Sequence, residues 1–302
     1  MFYEWPGRNP AWRVGVPLAV RGQLSAIAQI YLQSSPIFGT VLLLCLYLTQ
    51  PVLALGCLVG ACVASAMAWA LAFPDGDRRQ GRYSFNAALS GAGLCAGYQF
   101  SSALVAWIVV LAVLTALLSR VAQRAGIPVL TSLFVAAMWL TDACAPLLGL
   151  RSAAQVAAIP ACSLAPSSFL FCTLGQVSFV GPAALGVLVW AALARHSRQL
   201  ALWMLYGAAL AWCVASSAEW VLNWPVVSSQ STGMGINSAL TALALATFER
   251  SRSQRLLGPA LSILLCLALA ATGLAYFTAP FVLATWLLLS ARGRWRWKVS
   301  GE

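Results

Sequence analysis

Three kinds of neutral polar residue recur in pairs along an otherwise apolar chain. The pairs are Gln29 and Gln176, Asn86 and Asn237, and Thr131 and Thr278. Amide and hydroxyl groups can replace part of the hydration shell of a neutral solute, whereas an ion in a low-dielectric path would need a compensating charge. The pairs therefore predict a path for a small, neutral molecule with several hydrogen-bonding groups.

The spacing of these pairs indicates an internal repeat. The glutamines and the threonines are each 147 residues apart, and the asparagines are 151 apart, which implies a short insertion. The same 147-residue offset relates Gly39 to Gly186, Phe134 to Phe281, and Trp139 to Trp286. With five spans per half, the second half would enter the membrane from the opposite side. We therefore expect two inverted-topology repeats, with the solute path near the midplane at their interface.

The composition excludes an ordinary soluble enzyme and a disordered chain. Of the 302 residues, 61% are hydrophobic and 8% are charged, whereas soluble domains have about 25% charged residues. The sequence predicts an all-α polytopic membrane protein with ten transmembrane helices. The corresponding apolar runs are 36–49, 51–73, 85–100, 102–119, 128–150, 182–194, 200–222, 236–248, 257–273 and 277–291. Two irregular apolar stretches, 17–34 and 164–181, predict two re-entrant half-helices.

The distribution of charge predicts the orientation. The net charge is +11, from 18 basic and 7 acidic residues. Ten crossings place every basic residue except Arg151 on the side of the N-terminus, which makes that side cytoplasmic and leaves both termini inside. Because the arginines lie between apolar runs, we expect a lipid bilayer around the protein and no nucleic-acid partner. The arginine bias and the short length favour a bacterial inner membrane.

These boundaries divide the chain into four parts. Residues 1–19 form a cytoplasmic N-terminal segment, 20–151 the first repeat, 152–291 the second, inverted repeat, and 292–302 a basic cytoplasmic tail. Each repeat would hold five spans and one half-helix.

Groups for catalysis or metal binding are scarce. Asp142 and Glu219 are the only carboxylates in or near apolar runs, and both lie near the outer ends of predicted spans. The single histidine, His196, lies in an arginine-rich loop, which disfavours both a zinc site and an ammonia channel with paired histidines. We expect no enzyme activity, metal or cofactor. The cysteines in apolar runs, Cys172 among them, are interpreted as small buried hydrophobic residues.

The paired motifs resemble those of the urea transporter family, over about residues 20–291. Its Leu-Thr-x-Pro-Phe motif is matched closely by Phe277-Thr278-Ala279-Pro280-Phe281, and by Leu130-Thr131-Ser132-Leu133-Phe134 with Leu133 in place of proline. Its Gln-Val-x-Phe motif is matched by Gln176-Val177-Ser178-Phe179, and in the first half by Gln29-Ile30-Tyr31-Leu32. Its asparagine motif is matched by Phe85-Asn86-Ala87-Ala88-Leu89 and by Ile236-Asn237-Ser238-Ala239-Leu240.

The resemblance implies a homotrimer in which each protomer has its own slot-shaped pore for the facilitative, uncoupled passage of urea. It assigns one end of the slot to Phe179, Phe85, Ile30 and Leu89, and the other end to Leu32, Ile236, Val177 and Leu240. It places Thr131 and Thr278 at the central constriction. It makes Gln29 and Gln176 hydrogen-bond acceptors at the two ends.

Two other functions stay open at this point. Leu32 and Ile236 stand where the resemblance leads one to expect an aromatic pair, and an aliphatic wall cannot receive N–H groups as an aromatic face can. A channel for another small neutral solute, such as a short amide, ammonia or water, is therefore one alternative. An ion-coupled carrier that uses Asp142 or Glu219 is the other.

Overall fold

The computed structural model describes residues 18–153, 160–220, 228–248 and 250–290. In these ranges the chain forms thirteen α-helices and no β-strand. The predicted tail 292–302 lies outside the described residues, as does all but the end of the predicted N-terminal segment 1–19.

Each predicted apolar run overlaps one helix, although α11 and α12 begin eight and five residues before their runs. The helices of the first half are α1 (Leu18–Ala28), α2 (Pro36–Thr49), α3 (Pro51–Ala70), α4 (Asp75–Arg79), α5 (Phe85–Gly97), α6 (Ser102–Arg124) and α7 (Ser132–Cys144). Those of the second half are α8 (Pro166–Gln176), α9 (Ala183–His196), α10 (Arg198–Trp220), α11 (Ser228–Thr247), α12 (Arg252–Ala270) and α13 (Ala279–Ser290). The irregular stretches correspond to α1, followed by a short 3₁₀ turn, and to α8. The short α4 lies in an arginine-rich loop.

Length and composition alone identify fewer spans than the ten predicted. Among the described residues, α3, α6, α12 and residues 198–219 of α10 are long and apolar enough to cross a membrane. Residues 20–31 and α2 qualify only as a pair, and they are bent by 77°. The helices α7, α9 and α13 are apolar but have 12 to 14 residues, which is about 20 Å and shorter than the roughly 30 Å hydrocarbon core.

Local sequence signals explain where several helices begin. Pro36 is the first residue of α2, where its missing N–H costs no hydrogen bond. The Ser35 hydroxyl accepts the Phe38 N–H at 3.3 Å, and the Ser101 hydroxyl caps α6 by accepting the Leu104 N–H at 3.2 Å.

Glycines allow the closest helix crossings. A Cβ atom at Gly39 of α2 would overlap the Leu24 carbonyl oxygen of α1, and one at Gly186 of α9 would overlap the Phe171 carbonyl oxygen of α8. Both members of the first contact are 147 residues from the corresponding members of the second. This pair of crossings fixes α1 against α2 and α8 against α9.

Large apolar side chains cover much of the outer surface. Examples are Leu44, Leu48, Leu118, Leu264 and Leu287, which are 49–62% exposed. So much exposed apolar surface is unfavourable in water and suits contact with acyl chains or with other protein surfaces.

One sequence-based expectation about cysteine is wrong. Cys172 is not a free buried thiol, because it forms a disulfide with Cys162, and their Cα atoms are 5.7 Å apart. The chain before α8 folds back beside that helix, which brings together two residues that carry no recognisable spacing motif. The cysteines that are buried and free as expected are Cys45, Cys57, Cys95 and Cys266.

Candidate functional site

A cavity of about 480 Å³ lies beside the end of α8. The predicted site residues that line it are Gln176, Val177, Phe179, Ile236 and Thr278. Residues that the sequence did not indicate also line it: Phe134, Ala161, Ser229, Gln230, Thr232, Gly233, Leu274, Ala275, Tyr276 and Phe277. None of these described lining residues is an Asp, Glu, Lys, Arg or His, so the wall carries no fixed charge.

Three phenylalanines form a cluster in the wall of the cavity. The ring of Phe134 meets Phe179 and Phe277 edge to face, with ring centroids 6.1 and 6.0 Å apart. Gly93 of α5 makes room for the cluster, since a Cβ atom there would lie 2.9 Å from the Phe179 ring and 3.0 Å from the Phe134 ring. The electron-rich ring faces can receive N–H groups weakly.

The two predicted threonines meet directly. The hydroxyl oxygens of Thr131 and Thr278 are 2.6 Å apart, and the residues are 3% and 6% exposed. Thr278 lines the cavity, whereas Thr131 does not. The hydroxyl pair therefore lies where the cavity ends.

Asn86 holds the loop that carries the first threonine. Its Nδ2 donates to the Leu130 carbonyl oxygen at 3.0 Å, and its Oδ1 accepts the Phe134 N–H at 3.0 Å. The side chain is fully buried. Asn86, which was predicted to contact the solute, therefore bonds to backbone atoms and does not line the cavity.

Asn237 makes the equivalent bonds in the second half. Its Nδ2 donates to the Phe277 carbonyl oxygen at 2.9 Å, and its Oδ1 accepts the Phe281 N–H at 2.9 Å. It is also fully buried. Both asparagines therefore position a threonine loop and the start of the helix that follows it, α7 or α13.

The repeated motifs contain unusual backbone. Leu130 and Phe277, which precede the threonines, have φ of 47° and 45°. Leu32 and Phe179, which end the glutamine motifs, have φ of 56° and 64°. Positive φ is sterically unfavourable for bulky side chains, at about 1–2 kcal/mol per residue. Such backbone persists where the surrounding contacts enforce it.

The two predicted glutamines have different surroundings. Nε2 of Gln176 donates to the Pro160 carbonyl oxygen at 2.7 Å and to the Cys172 sulfur at 3.3 Å. Gln29 is half-buried, and its side chain makes no hydrogen bond within the described ranges. Gln176 lines the cavity and Gln29 does not.

The remaining predicted wall residues lie away from this cavity. Ile30, Leu89 and Leu240 are each at most 2% exposed, and Phe85 is 8% exposed. Leu32 is half-buried and packs against the main core. The cavity instead combines Phe179 from one predicted slot end with Val177 and Ile236 from the other.

Buried hydrogen bonds also join the two halves of the chain. The Tyr31 hydroxyl donates to the Leu174 carbonyl oxygen at 2.7 Å and lies 3.1 Å from the Ser178 hydroxyl. Tyr31 and Ser178 are again 147 residues apart. The end of the first glutamine motif is thereby fixed against the second.

Two tryptophans make a reciprocal link. Nε1 of Trp139 donates to the Ala275 carbonyl oxygen at 2.6 Å, and Nε1 of Trp286 donates to the Pro128 carbonyl oxygen at 2.8 Å. Donors and acceptors are both related by the 147-residue offset. Each tryptophan thus ties its helix to the threonine loop of the other half.

Charged groups lie away from the cavity. Asp142 is exposed and accepts the Tyr98 hydroxyl at 2.7 Å, and Glu219 is exposed on α10. In the α4 loop, hydrogen bonding by Arg79, and secondarily by Arg78, lowers the pKa of Asp75. Asp142 and Glu219 therefore lie at the surface and add no charge to the cavity wall.

Comparison with known families supplies an independent result. The family described as "UT: Urea transporter" matches residues 20–293. The match covers almost the same residues as the motif resemblance found in the sequence. A comparison with individual curated proteins gave no match.

Proposed function

The chain belongs to the urea transporter family, and we propose that it passes urea through a narrow pore in each protomer, down the gradient and without coupling to ions. Membership of the family makes it a multi-pass membrane protein and a transport protein, with urea as the transported solute. The channel mechanism, the slot and the absence of coupling are our proposals.

One observation carries the mechanism: a neutral cavity ends at a pair of hydroxyl groups. Urea is a flat, neutral molecule with four N–H donors and one carbonyl acceptor. Hydroxyls, an amide oxygen and phenylalanine faces can meet these groups along the wall. An ion would lose its hydration without a compensating charge, at a cost of several kcal/mol or more.

We propose that Thr131 and Thr278 form the constriction. In this mechanism the passing solute breaks the hydrogen bond between the two hydroxyls. Each hydroxyl then forms a hydrogen bond to the solute, so no hydroxyl is left without a partner during passage. Asn86 and Asn237 act indirectly by holding the threonine loops. Gln176 acts as an acceptor at the cavity, and Gln29 is assigned the equivalent place on the other side of the constriction.

The slot walls are part of the same proposal. We assign Phe179, Val177 and Ile236 to the cavity side, and Phe85, Ile30, Leu89, Leu32 and Leu240 to the remaining wall. Ile30, Leu89 and Leu240 belong to the core, Leu32 packs against it and Phe85 is buried, which supports a tight passage there.

We further propose that residues 20–151 and 152–291 form two inverted repeats. Paired hydrogen bonds, paired positive φ angles and paired glycine crossings at one offset support this arrangement. Ten crossings would require five short helices to span together with adjoining loops, which is allowed for backbone buried in protein. These are α2, α5, α7, α9 and α13, with 12 to 14 residues each.

The proposed orientation has both termini in the cytoplasm of a bacterium and the protein in its inner membrane. The arginines of the described loops support it. The disulfide supports it as well, because it follows α7 on the opposite side, and disulfides persist in the oxidising periplasm. The homotrimer is proposed from the family resemblance.

Stopped-flow measurement of proteoliposomes under a urea gradient tests the function. We expect urea to equilibrate much faster than in protein-free liposomes, with no change in membrane potential. A rate equal to that of protein-free liposomes would overturn the proposal.

A second candidate function, passage of another small neutral solute, is favoured by one observation. Ile236 presents an aliphatic surface to the cavity at the position that corresponds to Phe85 in the other half. A panel of urea, formamide, acetamide, ammonia and water in the same vesicles decides between them. Faster passage of a short amide than of urea would favour this second function.

A further inference from the structure

The wall of the cavity beside α8 includes a short segment held by a disulfide. Ala161 lines the cavity, and the next residue, Cys162, is bonded to Cys172 of α8. The Cys162 N–H also donates to the Thr232 hydroxyl of α11 at 2.9 Å. The segment that begins at Pro160 is thus tied to two helices at one point.

The same segment determines how Gln176 is oriented. Nε2 of Gln176 lies 2.7 Å from the Pro160 carbonyl oxygen and 3.3 Å from the Cys172 sulfur. A carbonyl oxygen can only accept, so the amide must direct its NH₂ group toward Pro160. The carbonyl Oε1 then faces away from Pro160, and Gln176 lines the cavity.

We propose that the Cys162–Cys172 disulfide is a positioning element that holds Pro160 and thereby fixes Oε1 of Gln176 as an acceptor for N–H groups of the solute. The inference rests on the proposed function and adds a specificity-determining role for the disulfide. If the amide reversed, its NH₂ group would meet the N–H groups of urea, and no hydrogen bond could form.

The described part of the first half, residues 18–151, has no disulfide beside its glutamine. Position 25 corresponds to Cys172 by the 147-residue offset, and there the Ser25 hydroxyl donates to the Ser34 carbonyl oxygen at 3.1 Å. Gln29 correspondingly makes no side-chain hydrogen bond within the described ranges. The disulfide therefore makes the two sides of the pore chemically different.

The experiment compares oxidised and reduced protein in the same proteoliposomes. Tris(2-carboxyethyl)phosphine reduces the disulfide to two thiols and takes up one oxygen from water. We expect reduction to raise the half-saturating urea concentration about five- to tenfold, as loss of one hydrogen bond to the solute predicts. The variant Cys162→Ser/Cys172→Ser should behave like reduced protein and should not respond to the phosphine.

Repeating the reduction in the Gln176→Ala variant tells whether the disulfide acts by positioning the Gln176 amide or through a general effect on the structure. If the disulfide acts through the amide, reduction changes the half-saturating concentration of Gln176→Ala by less than twofold. An equal effect of reduction in Gln176→Ala and in unaltered protein would overturn the inference. Cys62→Ser, at an exposed free cysteine, serves as the matched control and should keep the full response to reduction.

Two outcomes distinguish the inference from the proposed function. Rapid urea passage that does not change on reduction overturns the inference alone. No urea passage in oxidised protein overturns the proposed function and the inference together. Mass spectrometry of the oxidised protein should show the linked peptides, and two free thiols at these positions would also overturn the inference.

Discussion

Two threonine hydroxyls from opposite halves of the chain lie 2.6 Å apart, at the place where we propose the constriction of the pore. Each hydroxyl can donate one hydrogen bond and accept others. A solute that offers both donors and an acceptor can take the place of this contact, whereas an apolar solute would leave two buried hydroxyls unsatisfied. At the residue scale, we therefore expect selection of the solute to depend on hydrogen bonding more than on charge.

Thr278→Trp should block urea passage, because the indole would fill the end of the cavity. We expect the rate to fall to the level of protein-free liposomes in the stopped-flow assay. Thr40→Trp is the matched control, since Thr40 is exposed on α2 and bonds only within its helix. A normal rate in Thr278→Trp would show that solute does not pass this pair.

Ile236→Phe should tighten urea binding in the cavity. A phenylalanine face at this position can receive N–H groups, and a gain of about 0.5–1 kcal/mol corresponds to a two- to fivefold lower half-saturating concentration. Concentration-dependent urea flux measures the change. Ile236→Val keeps an aliphatic wall and is expected to show no tightening. A rise in the half-saturating concentration of Ile236→Phe would place this side chain outside the solute path.

At the scale of elements, the important parts are the two loops that precede α7 and α13. Each loop has a bulky residue with positive φ followed by a threonine, and a buried asparagine from another helix holds it. The fold thus uses tertiary hydrogen bonds to enforce backbone that the local sequence does not favour. The threonines depend on these bonds for their position.

Asn86→Ala should destabilise the protein by about 2–4 kcal/mol. The substitution leaves the Leu130 carbonyl and the Phe134 N–H buried without their partners, and each orphaned group costs about 1–3 kcal/mol. Thermal unfolding in detergent measures the loss. Thr49→Ala removes a hydroxyl that bonds only to its own helix and should change stability by less than about 0.5 kcal/mol. Equal melting temperatures for the two variants would contradict the role of Asn86.

Gly186→Ala should push α8 away from α9, since the added methyl group would overlap a backbone oxygen that cannot move independently of its helix. We expect a loss of several kcal/mol, detected as poor yield and a lowered melting temperature. Gly97→Ala is the control, because an added Cβ there meets no other atom within 4 Å. A melting temperature for Gly186→Ala as high as that of Gly97→Ala would argue against the close crossing.

The helices were predictable from the sequence and their breaks were not. The run 128–150 is predominantly apolar, but α7 begins at Ser132 because Asn86 binds the loop before it.

The glutamine and threonine pairs stood out because polar residues are rare in this chain. Phe134 and Phe277 were missed because an aromatic residue among apolar neighbours gives no sign of which way it faces. The disulfide was missed because only the fold brings its cysteines together.

For the molecule as a whole, the charges on the described surface and the neutral cavity predict transport that does not depend on ions. Asp142→Asn should keep the full urea rate, since this carboxylate is exposed and pairs with Tyr98. Urea flux should also be constant from pH 5 to 9 and under an imposed membrane potential. Flux that collapses when the proton gradient is removed, or in Asp142→Asn, would instead favour the ion-coupled carrier.

The hydrogen bonds that join the halves have a consequence for how the protein is made. The Tyr31 hydroxyl and the Trp139 indole depend on acceptors at Leu174 and Ala275, more than 130 residues later in synthesis. Until those residues enter the bilayer, the early half contains polar groups that lipid cannot satisfy. We therefore expect its maturation to wait for the later half, and closure across this distance to be slow.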